Sequence, residues 1–279
     1  MIPQRDLSLL SNRLAKSGGR RIPETVLERD YCLAWFLAAL SQEKLGERLA
    51  FKGGTAIKRC YVGDYRFSED LDFTLTEETP FEDIRQGLEP VFARVHSASG
   101  IMFRFSREDR QAHSNSHTFC LGYEGPLPAT AAGKEVKVDI TIREKIVFPV
   151  ERRPVLRGYE EYADLPEGTA LRVYSLDEIA VEKTVAVMDR ARNEPRDLYD
   201  IWYLAEEAHV DLDHLKGAVE EKLGFRGKKL DDVRGEFAAK EARFKKLWQI
   251  RLAAQLASLP EFDEVYRAVR RSFRQAGLS

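Results

Sequence analysis

The sequence predicts an α+β chain, with a mixed front of about 150 residues and an all-helical back of about 105. Three observations predict it. Residues 135–143, EVKVDITIR, alternate strictly: Val136, Val138, Ile140 and Ile142 point one way, and Lys137, Asp139, Thr141 and Arg143 the other, the period of a strand. Looser strand-like runs at 49–52, 67–75, 101–106 and 117–123 are interleaved with helical patterns. From Ser175 onward, apolar residues recur only at helical spacing. The expected organisation is a core at 1–150, a proline-marked connection at 151–174 and a helical domain at 175–279.

The elements follow in order. Residues 22–48 carry Val26, Leu27, Leu33, Phe36, Leu37 and Leu40 at helical spacing. Residues 49–52 are short enough for a strand. Gly53-Gly54 makes a turn, after which Thr55 is placed to cap a short helix over 56–59. The run 67–75 alternates as a strand, with Asp70 and Asp72 on its polar side. Thr79-Pro80-Phe81-Glu82 has the pattern of a capping box, opening a helix that runs to about 97, ahead of Gly100. A second such box, Ser175-Leu176-Asp177-Glu178, opens the helical half, with helices expected at 176–191, 196–208, 212–223, 237–258 and 262–276.

Composition narrows the class. The chain is 43% hydrophobic and 32% charged, enough apolar residues for a core and too many for a disordered chain. The net charge of −2 hides an asymmetry. From Lys216 to the end there are 15 Lys and Arg against 9 Asp and Glu, a net of +6, so the remainder carries −8. Such a balance suits a metal-binding front with a polyanion-binding tail, or simply solvated helix faces. Cys32, Cys60 and Cys120 are widely spaced, without a CxxC, so neither a zinc ribbon nor a disulfide framework is indicated. The N-terminus lacks the apolar core of a secretory signal, and the longest apolar patch, 33–40, is far too short to span a membrane. A cytoplasmic protein without membrane contact is expected.

The chemistry concentrates on acids at strand positions. Asp70 and Asp72, at i and i+2, would share a face, and Asp139 on another strand would complete an oxygen-only cage. That donor set favours Mg²⁺, with Mn²⁺ as an alternative, and two such ions support in-line phosphoryl displacement. An Asp-x-Asp on a strand is equally an ordinary wet face. The glycine turn shifts the balance, because Gly53, Gly54 and Thr55 end a strand and open a helix, presenting backbone N–H groups to an anion. The spacing is neither GxxxxGK[ST] nor GxGxxG. The order of strand, Gly-Gly-Thr, helix, Asp-x-Asp and a further Asp strand is the layout of the nucleotidyltransferase palm.

KGGTAIKR (52–59), RFSEDLDF (66–73), KVDI (137–140) and EKTVAVMDRARNEPRDLYDIWYL (182–204) together resemble the AbiEii family, the nucleotidyltransferase-like toxins of AbiE-type toxin–antitoxin systems that include the MenT toxins. The resemblance covers roughly 25–208. It implies a polymerase-β-like nucleotidyltransferase fold with a helical C-terminal domain, use of NTP and Mg²⁺, and a phage-defence toxin neutralised by a cognate antitoxin. It also implies transfer of nucleotides to the tRNA 3′ end, blocking translation. Carried over by residue, Gly54 and Thr55 fall on the glycine turn, Asp70 and Asp72 on the metal pair, and Lys137 and Asp139 on the second motif. Lys183 falls on the phosphate-binding lysine, and the closing acid lies within Arg196-Asp197-Leu198-Tyr199-Asp200, at Asp197 or Asp200. With Asp139, Asp70 and Asp72 hold metal; Asp139 also activates the attacking hydroxyl, and Lys183 neutralises the leaving pyrophosphate.

Other residues keep two readings. Lys183, flanked by Ile179 and Val187, either snorkels or reaches into a cleft. Arg190, Arg192 and Arg196 hold phosphate or end a helix in solvent. Asp197 or Asp200 supports Lys183 or Arg196 by an ion pair across the cleft between domains. Tyr199, Trp202 and Tyr203 are expected to pack their helix. Ser68 and Arg66 reach the same cleft as Asp70; Ser68 is a hydrogen-bonder to a metal ligand or itself an acceptor hydroxyl. His113 and His117 lie in a loop without a metal role. The basic run Lys222, Arg226, Lys228, Lys229, Arg234, Lys240, Arg243, Lys245, Lys246 and Arg251 offers RNA affinity or an antitoxin surface. The rival functions are kinase-like or nucleotidyl modification of itself or a protein target, and NTP-sensing regulation with little turnover.

Overall fold

The computed structural model describes residues 1–16, 19–109 and 115–279. The chain divides into two units, one of 1–144 with 150–173, the other of 145–149 with 174–279.

The first unit opens with α1 (Gln4–Lys16) and α2 (Glu24–Leu40), buried on nearly every side from Leu27 onward. The single helix expected over 22–48 stops at Leu40. Ser41 Oγ and Gln42 Nε2 both donate to the Ala38 carbonyl, at 2.7 and 3.1 Å, ending the helix before α3 (Lys44–Arg48) begins. β1 (Leu49–Lys52) runs directly into α4 (Gly53–Ala56) and a π-helical turn, Ile57–Tyr61. The helix therefore starts at Gly53 itself, and Thr55 lies inside it rather than capping it.

β2 (Leu71–Leu75) is shorter than the run 67–75 suggested. β1 pairs with β2 only from Leu49↔Leu75 to Lys52↔Asp72, because β1 turns away into α4 at Gly53. Residues before Leu71 have no β1 backbone left to pair with, and Asp70 lies just outside the strand. α5 (Phe81–Ser99) follows and ends on Gly100 at φ +77°. No side-chain cap forms at its start: Thr79 Oγ1 donates backwards to the Glu77 carbonyl instead. β3 (Met102–Glu108), β4 (Ser116–Glu124) and β5 (Glu135–Thr141) come next. The stretch 151–174 carries two strands of the same sheet, β6 (Val150–Pro154) and β7 (Ala170–Tyr174). Its prolines masked them, since Pro154 ends the short β6 and no run long enough to show alternation remains.

Among the described residues seven strands form one mixed sheet, in the order β3-β4-β5-β2-β1-β7-β6. β2 is parallel to β5 and antiparallel to β1; β1 is parallel to β7. Phe51, Leu71, Phe73, Phe119, Val138, Ile140 and Val173 are buried in the sheet's core. Beneath it, Arg59 is ion-paired to Asp30, both buried.

The second unit contains α6 (Leu176–Met188), α7 (Pro195–Glu206), a 3₁₀ turn (Leu212–Leu215) leading into α8 (Lys216–Phe225), α9 (Leu230–Ala239), α10 (Glu241–Leu252) and α11 (Phe262–Gln275). Ser175 caps α6, accepting from the Glu178 amide at 3.1 Å. The Glu178 carboxylate does not return to close the box. It accepts the amides of Val147 and Phe148, each at 2.8 Å, and pairs with the buried Lys222. The single helix expected over 237–258 is broken at Lys240, whose ammonium donates to the carbonyls of Asp189 and Arg192 at 2.8 and 3.0 Å. Cys32, Cys60 and Cys120 are free and buried. No helix among the described residues is long and apolar enough to cross a membrane.

Candidate active site

The register of the sheet assembles one rung across four strands. Lys52 of β1 is opposite Asp72 of β2, Asp72 is opposite Asp139 of β5, and Asp139 is opposite Thr118 of β4. Residues paired across a rung project from the same face, so Asp72 and Asp139 present half-exposed carboxylates side by side on neighbouring strands. Lys52 Nζ donates to Thr141 Oγ1 at 3.0 Å, one side-chain step beyond Asp139 on the same face. Lys137 Nζ lies 3.5 Å from Asp139 Oδ2 on an exposed part of β5.

The glycine turn closes one side of this rung. Gly53 sits at φ +79°, and a Cβ there would lie 2.7 Å from Asp72 Oδ2. Both facts demand glycine: the backbone is left-handed, and the Asp72 carboxylate fills the space a side chain would need. A Cβ on Gly54 would lie 2.5 Å from Arg66 Nη2. Arg66 is buried, donates to the Phe67 carbonyl at 3.3 Å and faces the Tyr65 ring. Thr55 Oγ1 donates to the Asp70 carbonyl at 2.6 Å, binding the helix to the chain that leads into β2. Thr55 is thus bonded to the Asp70 backbone, and Arg66 to the Phe67 carbonyl of the same segment. Ser68 and Glu69 are half-buried on the intervening segment, and Arg29 pairs with Glu69 at 3.3 Å. The first-turn amides of α4 have no side-chain cap and no acceptor within the helix, the position at which helices meet anions.

Among the described residues no group of three His, Cys, Asp or Glu is arranged to hold a metal ion. Asp72 and Asp139 share the rung, while Asp70 precedes it. A pair of carboxylates still matches a hard divalent cation that takes its remaining oxygens from water and substrate phosphate, and the space kept clear at Gly53 adjoins Asp72.

In the helical unit, Lys183 of α6 is buried and its ammonium lies 2.7 Å from Asp197 Oδ1 and 2.8 Å from Asp200 Oδ2, both on α7. The ion pair expected across two domains lies within this unit. Arg192 Nε donates to Asp197 Oδ2 at 2.5 Å. Burial pushes the Asp197 carboxyl up, but the charges of Lys183 and Arg192 override it and hold the group below its ordinary value. Arg196 turns instead to Glu194, at 3.4 Å, and Arg190 is exposed. Tyr199 packs against Trp202, Tyr203 and Trp248, as its surroundings suggested. His117 lies on β4 rather than in a loop, its ring tilted against Phe81 at 4.9 Å; His113 lies outside the described residues.

Sequence reasoning missed Lys52 and Thr118. Lys52 was visible as the residue before Gly-Gly-Thr, but only the register shows that it faces Asp72. It also missed Lys58, fully buried, whose ammonium donates to the Gly63 and Tyr65 carbonyls and the Tyr159 hydroxyl, each at 3.0 Å. No sequence signal distinguishes that lysine from a solvated one.

Acids register-paired on a mixed sheet, with a helix opening on glycine beside them, form one candidate site in the first unit. The chain belongs to the AbiEii family, described as the nucleotidyl transferase AbiEii toxin of type IV toxin–antitoxin systems, whose family model matches residues 35–276. Its fold is similar to that of MenT4, a nucleotidyltransferase toxin from Mycobacterium tuberculosis, with a TM-score of 0.56 at 19% identity over 96% of this chain and 89% of that one. Among curated proteins no sequence matches it significantly.

Proposed function

We propose that the protein transfers a nucleotidyl group from an NTP to the 3′ end of an RNA, with tRNA as the acceptor and arrest of translation as the toxic outcome. The observation that carries this reading is the contact of Gly53 with Asp72. It joins a ready-made anion cradle to a carboxylate that shares a rung with a second one. Gly53, Gly54 and Thr55 receive the β- and γ-phosphates through the first-turn amides of α4. Asp72 and Asp139 supply the metal ligands, with Asp70 at the edge of the same junction. Bound Mg²⁺, or Mn²⁺ in its place, supplies charge neutralisation on the phosphates and lowers the pKa of the attacking hydroxyl. Asp139 accepts the proton of the RNA 3′-OH as it attacks the α-phosphorus. The bond to pyrophosphate breaks as the new phosphodiester forms.

Arg66 keeps the Gly54 side of the cradle in place, Ser68 lies beside it, and Lys137 and Lys52 set the positive charge around the rung. Lys183 is assigned to phosphate binding by family resemblance, with Asp197 or Asp200 as the closing acid that supports it, and Arg196 is assigned to the nucleotide. The protein acts in the cytoplasm, and a cognate antitoxin silences it.

The test is to incubate the protein with each labelled NTP, Mg²⁺ or Mn²⁺, and total tRNA, and then to resolve RNA from protein. Label at RNA 3′ ends is the expected result. Label on the protein, or NTP binding with no transfer to anything, would overturn it in favour of self-modification or nucleotide sensing respectively.

A further inference from the structure

The basic tail looks uniform in sequence, and the structure sorts it. Lys222 is buried against Glu178 and Glu182, and Lys240 is buried on main-chain carbonyls. Arg226 pairs with Glu182, Lys228 with Asp189, Arg234 with Asp231, Lys245 with Asp263 and Arg251 with Glu194. Of the run 222–251, Lys222 and Lys240 are thus committed inside the fold, five others have a carboxylate within reach, and Lys229, Arg243 and Lys246 are exposed. A denser basic group lies further on, where α11 carries Arg267, Arg270, Arg271 and Arg274 at i, i+3, i+4 and i+7. That spacing forms a single stripe about 10 Å long.

All four arginines are exposed, opposite the buried Phe262, Val265, Tyr266, Val269 and Phe273. Among the described residues only Arg271 has a carboxylate within reach, Glu206 at 3.5 Å, and that pair is largely exposed. Such a pair neutralises little. Arg267 and Arg274 use Nε to bond carbonyls of their own helix, at 2.8 and 3.4 Å. That steadies the stems and leaves the ends of the guanidinium forks outward. The acids of α11 are confined to its first turn, Asp263 and Glu264.

We infer that this stripe binds the phosphate backbone of RNA. Every exposed position of α11 is charged or an amide. A protein interface needs an apolar, charge-poor centre with anchoring side chains, and this face has none. A phosphate backbone needs only spaced positive charge, and arginine forks match phosphate oxygens in pairs. The recognition is of backbone rather than base, so it grips an RNA without selecting its sequence. The choice of RNA as the polyanion rests on the acceptor proposed above.

The test uses the full chain and a labelled RNA hairpin, with affinity measured across a salt series. NTP affinity and thermal melting are followed on the same samples. The variant is Arg267→Gln, Arg270→Gln and Arg274→Gln together. Wild type is expected to lose affinity linearly in log–log form as salt rises. The triple variant should show a slope shallower by about two, since each lost phosphate contact removes about 0.7–0.9. It should also bind RNA at least tenfold more weakly at low salt, with NTP affinity unchanged. Lys245→Gln, outside the stripe and already in two hydrogen bonds to Asp263, should leave the slope as it was. If the triple variant does not fold, Arg270→Gln alone should lower the slope by about 0.7–0.9. An unchanged slope and affinity in a folded variant overturns the inference. Absence of NTP binding in wild type would overturn the active-site reading instead, while the slope still reports on α11.

Discussion

Gly53 packs onto Asp72: a Cβ on residue 53 would sit 2.7 Å from Asp72 Oδ2, and the backbone there is left-handed at φ +79°. The glycine turn and the carboxylate rung are thus one object, and a single methyl group tests their union. Gly53→Ala adds that methyl group and forces a non-glycine residue into a strained region, at about 1–3 kcal/mol. It also moves the carboxylate. Transfer activity is expected to fall by about a hundredfold, since displacement of a positioned group by about 1 Å has that effect. Denaturant unfolding should show only the modest stability loss. Retained transfer would mean that the cradle and Asp72 do not act together.

Asp72 and Asp139 face each other across parallel strands, so neutralising either removes half of the carboxylate pair while keeping its shape. Asp72→Asn and Asp139→Asn should each leave the melting transition near wild type and weaken Mn²⁺ binding measured by electron paramagnetic resonance. Transfer should drop by at least about a hundredfold, the scale of losing a positioned acid–base or charge-stabilising group. Asp70 lies off the rung, and Asp70→Asn should weaken Mn²⁺ binding less than either. Equal effects from all three would show that the metal draws Asp70 into a closed cage.

Much of this arrangement was legible before the structure. The strict alternation of 135–143 fixes which face Asp139 occupies, and the glycines before a short helix announce a special backbone. What stayed hidden depends on pairing. Nothing in 67–75 reveals that β1 turns away at Gly53, so Asp70 seemed to share the strand with Asp72. Register is a long-range property, set by where partner strands begin and end, and it alone brings Lys52 to Asp72. Burial was equally hidden: Lys222, Lys240 and Lys58 look like solvated cations, and each is instead closed in by acids or carbonyls. The helix breaks at 41–43 and at Lys240 come from side chains bonding carbonyls, which apolar periodicity does not register.

Lys58 makes the site's support sensitive to alkali. Its ammonium fastens the loop that carries Arg66 to the helix that carries Gly54. Burial lowers its pKa to about 8; Asp30 and Asp64 oppose that shift and Arg59 adds to it. The Tyr159 hydroxyl completes the surroundings. The folded value is below the unfolded one, so the unfolded chain binds more protons between about 8 and the ordinary lysine value. Stability contributed by this group should rise with pH across that window and be flat below it. Lys240 titrates near 8 as well, so wild type alone is ambiguous. Subtracting the pH–stability curve of Lys58→Met isolates the Lys58 part, and a flat difference above pH 8 would refute the assignment. The same variant should raise the NTP KM, because the loop loses its tie.

Lys183 is bound on two sides by acids, and this governs how any mutation of it is to be interpreted. Asp197 and Asp200 are both buried, and Lys183 neutralises them from 2.7 and 2.8 Å. Removing the cation leaves two carboxylates close together in a poorly solvated place, where breaking a buried pair costs about 3–5 kcal/mol. Lys183→Met should therefore destabilise the helical unit by that amount in denaturant unfolding, and its loss of activity would prove nothing about phosphate. Lys183→Arg separates the roles. The guanidinium keeps the charge and can still reach both acids, so stability should stay within about 1 kcal/mol of wild type. Transfer should nonetheless fall at least tenfold, since a fork held by two carboxylates does not replace a compact ammonium at a phosphate. Asp197→Asn supplies the acid-side check. The depressed Asp197 pKa contributes stability above the ordinary carboxylate range and loses it as pH falls through the folded value. The asparagine variant should lack that acid-dependent portion and be less stable than wild type at neutral pH. If Lys183→Arg keeps both full stability and full transfer, Lys183 serves only to neutralise Asp197 and Asp200, and its assignment to the nucleotide fails.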